Sequence, residues 1–146
     1  MARPAQKAIA KAVTPPELAL QSIDRLVSAG KSVVRFRSGM RRDARSAVAV
    51  RADGSVLFVT AFDAQAAERR PDGITALNEK STTTGLTLAE FAGLLASPEK
   101  SGGLGAKTAL NLDGGFSTSM VVQIGSTRRV LLPHRKTTNA LTASAP

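Results

Sequence analysis

Three short stretches rich in β-branched and other apolar residues occur in the first half of the chain, at residues 31–37, 45–51 and 55–61. Stretches of this length and composition are typical of β-strands. The second and third flank residues 52–54 (Ala-Asp-Gly), and such a turn between two strands predicts a β-hairpin. The polar residues 63–83 that follow contain a Pro-Asp-Gly sequence and predict a loop.

A helical repeat of apolar positions follows in residues 87–97. Thr87 and Glu90 have the spacing of a capping box, in which each side chain accepts a hydrogen bond from the other residue's backbone N–H. Pro98 predicts the end of the helix, because a proline ring cannot continue the helical hydrogen bonding. Apolar side chains recur at helical spacing and predict one buried face: Leu88, Phe91, Leu94 and Leu95.

The last third of the chain returns to strand patterns, at residues 107–112, 118–124 and 128–132. The last two of these flank residues 125–127 (Gly-Ser-Thr), which predict a second hairpin turn. Strands that both precede and follow a single helix indicate an α+β fold. We therefore predict a mixed, largely antiparallel sheet with one main helix, residues 87–97, packed on it.

The length of 146 residues suits one domain. We expect residues 17–146 to form it, behind a basic, disordered or loosely ordered tail at residues 1–16. The absence of Cys and the presence of a single His, His134, argue against disulfides, thiolate metal sites and His-rich metal sites. No apolar run reaches the length of a membrane-spanning helix, so no span is predicted.

The formal net charge of +9 is unevenly distributed. Residues 1–51 hold 11 basic and 3 acidic residues, a net charge of +8, and residues 128–136 hold 4 basic and no acidic residues. Residues 52–113 hold 5 basic and 8 acidic residues, a net charge of −3. Basic patches can bind nucleic acid, bind a smaller anionic substrate, or only keep a protein soluble. Nucleic acid is the less favoured partner, because the basic stretch 31–51 contains a single aromatic residue for stacking.

The constellation with the most chemical content lies in residues 109–122, where an apolar strand leads to Asp113, two glycines and two hydroxyl residues. Glycines let the backbone approach a ligand closely, and N–H groups in such a turn can receive an anion. Hydroxyl side chains can donate to phosphate or sugar oxygens. An ordinary Asp-Gly turn with surface hydroxyls accounts for the same residues without a function.

Several motifs in the right order resemble the phosphodiester glycosidase family, which includes the lysosomal uncovering enzyme and bacterial proteins labelled exopolysaccharide biosynthesis proteins. Residues 111–118 (Asn-Leu-Asp-Gly-Gly-Phe-Ser-Thr) resemble the family's Asn-Leu-Asp-Gly-Gly-Gly-Ser-Ser signature, and residues 85–92 resemble the helix before it. Residues 45–50 resemble its Arg-Thr-Ala-Val-Gly motif. Residues 20–22 and 139–141 resemble an early strand and the closing Asn-Ala-Leu strand.

The resemblance covers residues 18–143, with three departures. Phe116 stands where the family has a third glycine, and we expect it to narrow or gate the pocket. Ala49 also replaces a glycine. An Asn-Gly-Gly-Phe-like stretch that the family carries is not found before residue 18, so the chain resembles the C-terminal two-thirds of the domain. Such a chain is either a truncated relative or one that completes its sheet with another chain, and an open sheet edge favours a homo-oligomer.

The resemblance implies hydrolysis of a sugar-1-phosphodiester on an anionic or phosphorylated glycan. It implies an acid/base or metal-binding role for Asp113 and a bidentate phosphate clamp for Arg45. Substrate oxygens would be held by five further residues: Gly114, Gly115, Ser117, Thr118 and Asn139. Glycosidases commonly use two carboxylates, and the second is not identified. No cofactor is predicted, with a divalent metal as the alternative.

Each of these residues also has a purely structural interpretation. Arg45 could be a solvated strand-edge arginine, Asn139 a turn cap, and His134 an exposed loop histidine. Met120 and Phe91 are most simply core residues. Two other functions therefore stay open: a non-catalytic remnant of the fold that binds carbohydrate or phosphate, and a basic nucleic-acid-binding protein.

Overall fold

The computed structural model describes Ser22 and residues 24–34, 40–137 and 140–144 of the chain. The α-helix in this part, α1, spans Leu88–Ala96. The strands in chain order are β1 (Arg25–Ser28), β2 (Lys31–Ser32), β3 (Arg45–Arg51), β4 (Val56–Ala61), β5 (Ala67–Arg69), β6 (Ile74–Leu77), β7 (Ala106–Asn111), β8 (Met120–Ile124) and β9 (Thr127–Leu132).

The strands form two sheets. A five-stranded sheet has the order β2-β1-β7-β3-β4, and all its neighbours are antiparallel. A four-stranded sheet has the order β5-β6-β9-β8, in which β6 and β9 run parallel and the other pairs antiparallel. The α+β class with mixed, largely antiparallel pairing is therefore confirmed, although the strands divide between two sheets rather than one.

Both predicted hairpins are present. Strands β3 and β4 pair in an unbroken register from Arg45 with Ala61 to Val50 with Val56. Their turn is stabilised by the backbone N–H of Ser55, which donates to the Asp53 carboxylate at 2.9 Å. The β8–β9 hairpin closes through a two-residue loop whose first residue is a glycine with a φ of +58°. Positive φ at this position is typical of a type II′ hairpin turn.

Helix α1 has the predicted capping box, with Thr87 accepting from the Glu90 backbone and Glu90 accepting from the Thr87 backbone. The helix packs against β1, β2, β7 and β3. The predicted apolar face is buried except at Leu94, which is 37% exposed, and Ala92 is buried in its place. This packing makes the main core, whose buried members are Leu26, Val27, Ala47, Ala49, Leu88, Phe91, Ala92, Leu95, Ala106 and Ala109.

The strand prediction is wrong in three places. The segment 63–83, predicted as a loop, contains β5 and β6, which are only three and four residues long and show no clear alternation of their own. The predicted strand 31–37 is reduced to Lys31–Ser32 in its described part, and residues 35–37 lie outside the described residues. Strand β1 was not predicted at all.

The predicted tail, residues 1–16, also lies outside the described residues. Within the part of the chain that the structure describes, no helix has the length and apolar character that a membrane crossing requires.

Candidate functional site

Strand β7 carries the candidate site at its C-terminal end. It is the middle strand of the five-stranded sheet and ends at Asn111. Residues 113–115, called the glycine turn below, follow directly and lead into a 3-10 turn at Gly115–Ser117. The side chain of Asp113 is exposed at the start of the turn, and its carboxylate accepts the N–H of Gly114 at 3.0 Å. An acid held at the end of a central strand is therefore open to solvent.

The glycine turn is bound to the start of β3. The N–H of Gly115 donates to the carbonyl oxygen of Ala44 at 2.7 Å, and the N–H of Leu112 donates to the carbonyl oxygen of Ser46 at 2.8 Å. Ala44 in turn donates its own N–H to the carbonyl oxygen of Ser81 at 2.7 Å. One buried residue thus connects the glycine turn with the 3-10 turn at Glu79–Thr82.

Both glycines are required by this close packing. A Cβ on Gly114 would lie 2.7 Å from the carbonyl oxygen of Ala44, closer than side-chain carbons approach a backbone atom. Gly115 has a φ of +58°, in the left-handed region that favours glycine. A Cβ on Gly115 would lie 3.1 Å from Cγ2 of Thr82 and 3.6 Å from Oδ1 of Asp43. The second of these distances places another carboxylate beside the turn.

Asp43 is a carboxylate that the sequence did not single out. Its side chain is 15% exposed and lies between two guanidinium groups. Oδ1 is 3.4 Å from Nε of Arg41, and Oδ2 is 3.6 Å from Nη2 of Arg45. Burial raises the pKa of Asp43 above its ordinary value, and the positive charges of Arg45 and Arg41 act in the opposite direction. The backbone of Asp43 exchanges hydrogen bonds with Leu86, which holds the residue in place.

Arg45 is buried, with only 10% of its side chain exposed, so it is not a solvated strand-edge residue. Its Nε donates to the carbonyl oxygen of Leu86 at 2.9 Å, and Nη2 donates to the carbonyl oxygen of Arg41. Burial also lowers the pKa of Arg45, which the carboxylate of Asp43 partly offsets. The guanidinium thus holds residues 41, 43 and 86 together beside the glycine turn. The clamp role assigned to it stays a prediction.

The other predicted site residues occupy different surroundings. Ser117 is partly buried after the glycine turn, whereas Thr118 is fully buried. The Thr118 hydroxyl has no hydrogen-bond partner among the described residues, and the same holds for the hydroxyls of Ser46 and Ser81. Asn139 lies outside the described residues. The amide of Gly115 is already engaged by Ala44, so it is not directed at solvent.

The segment after β9 reaches the glycine turn through Phe116. The ring of Phe116 lies 5.0 Å from that of His134 at an interplanar angle of 38°. The guanidinium carbon of Arg135 stands 4.4 Å above the Phe116 ring centre, a cation–π contact. The N–H of Arg135 also donates to the carbonyl oxygen of Phe116 at 3.1 Å. An exposed arginine, which the sequence did not single out, therefore stands beside the turn.

These contacts bring together side chains of both charges around one turn. The described residues contain no group of three or more His, Asp or Glu side chains arranged to hold a metal ion. The groups that could take part in a reaction are the exposed carboxylate of Asp113, the largely buried carboxylate of Asp43 and the exposed guanidinium groups of Arg41 and Arg135. Such a set can transfer protons and attract an anion.

A family model described as phosphodiester glycosidase matches residues 5–143. A solved structure described as "Crystal structure of a hypothetical protein from Synechocystis" is 30% identical over a match that covers 65% of this chain. That match covers 15% of the solved chain, and the TM-score is 0.40. No curated protein matches the chain.

Proposed function

Because the chain belongs to the phosphodiester glycosidase family, we propose that it hydrolyses a phosphodiester that joins the anomeric carbon of a sugar to a second group. Water is consumed, and the products are a free sugar and a phosphomonoester. The substrate we propose is an anionic or phosphorylated glycan. The observation that carries the proposal is the exposed Asp113 on a turn that lies against a second carboxylate, Asp43.

Asp113 is the residue we propose to exchange a proton with the reacting groups. Its exposure leaves the carboxylate accessible to a substrate oxygen or to the attacking water. The hydrogen bond from the Gly114 N–H orients one carboxylate oxygen and leaves the other open. A positioned carboxylate of this kind contributes about 10²–10⁴-fold to a rate by general acid or base catalysis.

Asp43 is the proposed second carboxylate. Burial acts to raise its pKa, so the protonated form is favoured more than in a solvated carboxyl group. Exposed Asp113, on the glycine turn, and largely buried Asp43, which lies against Gly115 of that turn, thus have different environments. Two carboxylates in different environments can divide the acid and base roles, as paired glycosidase carboxylates do.

Positive charge for the phosphate is proposed to come from the exposed arginines. Arg135 holds its guanidinium on the Phe116 ring, so its position is partly fixed before a ligand arrives. The Arg41 side chain is 68% exposed beside Asp43. Planar guanidinium groups can bind two phosphate oxygens at once. In this proposal Arg45 positions Asp43, and its Nε and Nη2 atoms donate to carbonyl oxygens within the chain.

A non-catalytic binding protein is the second candidate, and a specific observation favours it. The family resemblance implies that Gly115 and Arg45 contact the substrate. In the structure the Gly115 N–H donates to the Ala44 carbonyl oxygen, and Nε and Nη2 of Arg45 donate to the carbonyl oxygens of Leu86 and Arg41. A site that keeps Asp113 and Arg135 but lacks these donors would bind an anionic glycan without accelerating hydrolysis.

One assay separates the two candidates. A sugar-1-phosphodiester is incubated with the full chain. An added phosphatase then releases inorganic phosphate from any phosphomonoester product but not from the intact diester, and this phosphate is measured. Release above the protein-free rate supports the hydrolase. Binding of the intact diester by calorimetry without any release would overturn the hydrolase and support the binding protein, and absence of both would overturn both.

A further inference from the structure

Strand β8 is the open edge of the four-stranded sheet in the described part of the chain. Its side chains are exposed on both faces of the sheet, although several of them are apolar. Val121 is 60% exposed on one face, and Ile124 and Val122 are 76% and 38% exposed on the other. Exposed apolar side chains next to unpaired backbone groups are typical of a surface that pairs with another strand.

The edge also lacks the features that keep edge strands apart. Natural edges commonly carry lysine, proline, an inward charge or a bulge. Residues 114–127, which include all of β8, carry no charge and no proline. The register with β9 runs without a bulge from Met120 opposite Leu131 to Ile124 opposite Thr127. Nothing within this strand therefore opposes the addition of a further strand.

The hairpin geometry determines which backbone groups of β8 are free. In a two-residue hairpin the residues that flank the loop, Ile124 and Thr127, form a hydrogen-bonded pair. Hydrogen-bonded and non-hydrogen-bonded pairs then alternate along the ladder. Val122 consequently bonds to β9 as Ile124 does, whereas the N–H and C=O groups of Val121 and Gln123 point to the open edge.

We propose that this edge pairs with β8 of a second copy of the chain, antiparallel and centred on Val122. In this register Val121 exchanges two hydrogen bonds with Gln123 of the second copy, and Gln123 exchanges two with that copy's Val121. All outward groups of these residues are then satisfied. A two-fold axis passes between the two Val122 residues, as in the isologous contact of a symmetric dimer.

The side chains are self-complementary in the same register. Met120, Val122 and Ile124 share one face of β8, because side chains alternate along a strand. Across the two-fold axis Met120 lies opposite Ile124 of the second copy, and the two Val122 residues lie opposite each other. Six apolar side chains thus form one continuous strip, and apolar cross-strand pairs of this kind stabilise a sheet.

Charge does not oppose the pairing, although the chain has a net charge of +9. The residue opposite Val122 on β9 is the charged Arg129. In the dimer the two Arg129 residues are separated by three strand spacings, about 14 Å. That distance exceeds the Debye length of about 8 Å at physiological ionic strength, so their repulsion is largely screened.

The second long open edge, β4, is a poorer candidate. Thr60 and Phe62 at its end line a groove together with Met120 and Val122, so the second sheet stands beside this end of the strand. A new strand along the whole of β4 would meet that sheet. Val56 and Phe58 are the exposed large apolar residues of β4, and Val56 supplies the control position for cross-linking at this edge.

Single cysteines test the pairing in the full chain, which has none of its own. Val122→Cys places two thiols across the axis in a non-hydrogen-bonded pair, with Cα atoms about 4.5 Å apart, within disulfide range. Val56→Cys is the matched control at the other edge. We expect a covalent, reductant-sensitive dimer from Val122→Cys at least tenfold faster than from Val56→Cys. Equal rates in both variants, or faster cross-linking of Val56→Cys, would overturn the proposal.

Sedimentation velocity of the unmodified chain gives a measurement that depends on no variant. A monomer–dimer equilibrium that shifts with concentration supports the pairing, and a monomer at every concentration overturns it.

Val122→Lys and Val122→Glu distinguish a two-fold contact from other contacts, because each variant places two like charges opposite each other across the axis. Both should abolish the dimer while Val122→Thr retains it. A dimer that survives either charged variant would overturn the assigned register.

Discussion

The backbone N–H of Gly115 donates to the carbonyl oxygen of Ala44 at 2.7 Å. This bond joins the turn that carries Asp113 to the start of the strand that carries Arg45. It also brings Asp43, a residue distant from the turn in sequence, against the turn's glycine pair. The proposed chemistry depends on this junction.

Close packing predicts that Gly114 cannot be replaced by alanine without cost. The new Cβ would lie 2.7 Å from the Ala44 carbonyl oxygen, so the turn must shift. We expect Gly114→Ala to lower the free energy of unfolding by about 1–3 kcal/mol, as overpacked sites do. Gly93→Ala is the control, because it has open space in helix α1 and should stabilise by up to about 1 kcal/mol. Urea unfolding measures the stability of both variants. An unchanged free energy of unfolding for Gly114→Ala would refute the close approach of Gly114 to the Ala44 carbonyl oxygen.

The Arg45 side chain is predicted to be a structural tie. Arg45→Ala removes the donors to two carbonyl oxygens and leaves Asp43 without its more buried cation. We expect a loss of about 3 kcal/mol in the free energy of unfolding, the usual cost of breaking a buried pair. Arg69→Ala, at an exposed position, should cost less than about 0.5 kcal/mol. Similar small losses in both variants would mean that the buried contacts of Arg45 contribute little.

The pH dependence of stability tests the environment of Asp43. Its pKa in the folded protein is raised, so the folded state binds more protons than the unfolded state between the two pKa values. The free energy of unfolding contributed by this group is therefore fully present below the unfolded pKa and falls as the pH rises through the folded pKa. Asp43→Asn should remove that fall.

Denaturant unfolding at a series of pH values from about 3 to 7 checks this, because the carboxyl group titrates above its ordinary pKa of 3.8. The difference in stability, wild type minus Asp43→Asn, should decrease with pH in this interval. Asp53→Asn is the opposite control, since hydrogen bonds from Ser55 lower the pKa of Asp53. The difference in stability, wild type minus Asp53→Asn, should be smallest at the acidic end of the series and should increase as the pH rises. An Asp43 difference that rises with pH would contradict the assigned direction.

Arg135 is predicted to contribute to anion binding and little to stability. The side chain is exposed and its guanidinium lies over the Phe116 ring, while the hydrogen bond to the Phe116 carbonyl oxygen comes from the Arg135 backbone N–H and survives truncation of the side chain. Loss of a charge-assisted hydrogen bond to phosphate costs about 1.5–3 kcal/mol, so Arg135→Ala should weaken binding of a phosphodiester roughly tenfold or more. Arg70→Ala, another exposed arginine, should leave binding unchanged. Calorimetric titration measures both, and equal affinities would exclude Arg135 from the site.

Structural elements that are determined by residues close together in the sequence could be predicted from it. The capping box of Thr87 and Glu90 and the two hairpins are set by residues a few positions apart, and all three are present. Strands β5 and β6 could not be predicted, because each is stabilised by pairing rather than by its own pattern. Strand β6 pairs in parallel with β9, more than fifty residues later.

The candidate site divides in the same way. Asp113 and its two glycines form a local sequence pattern that resembles the family signature, so they could be predicted from the sequence. Asp43 and Arg135 become neighbours of the turn only through long-range contacts, to Gly115 and Phe116 respectively. One available signal was the position of Asp43, two residues before the Arg45 motif. The burial of Arg45 had no signal in the sequence, because the carbonyl oxygen that its Nε binds belongs to Leu86, which is 41 residues away.

The most direct test of the central claim is the rate of phosphomonoester release from a sugar-1-phosphodiester by Asp113→Asn. Asp53→Asn is the matched control, because Asp53 also precedes a glycine in an exposed turn but lies at the far end of the β3–β4 hairpin. We predict that Asp113→Asn lowers the rate by about 10²-fold or more and that Asp53→Asn retains the wild-type rate. Wild-type activity that survives Asp113→Asn would contradict the assignment of this turn as the active site.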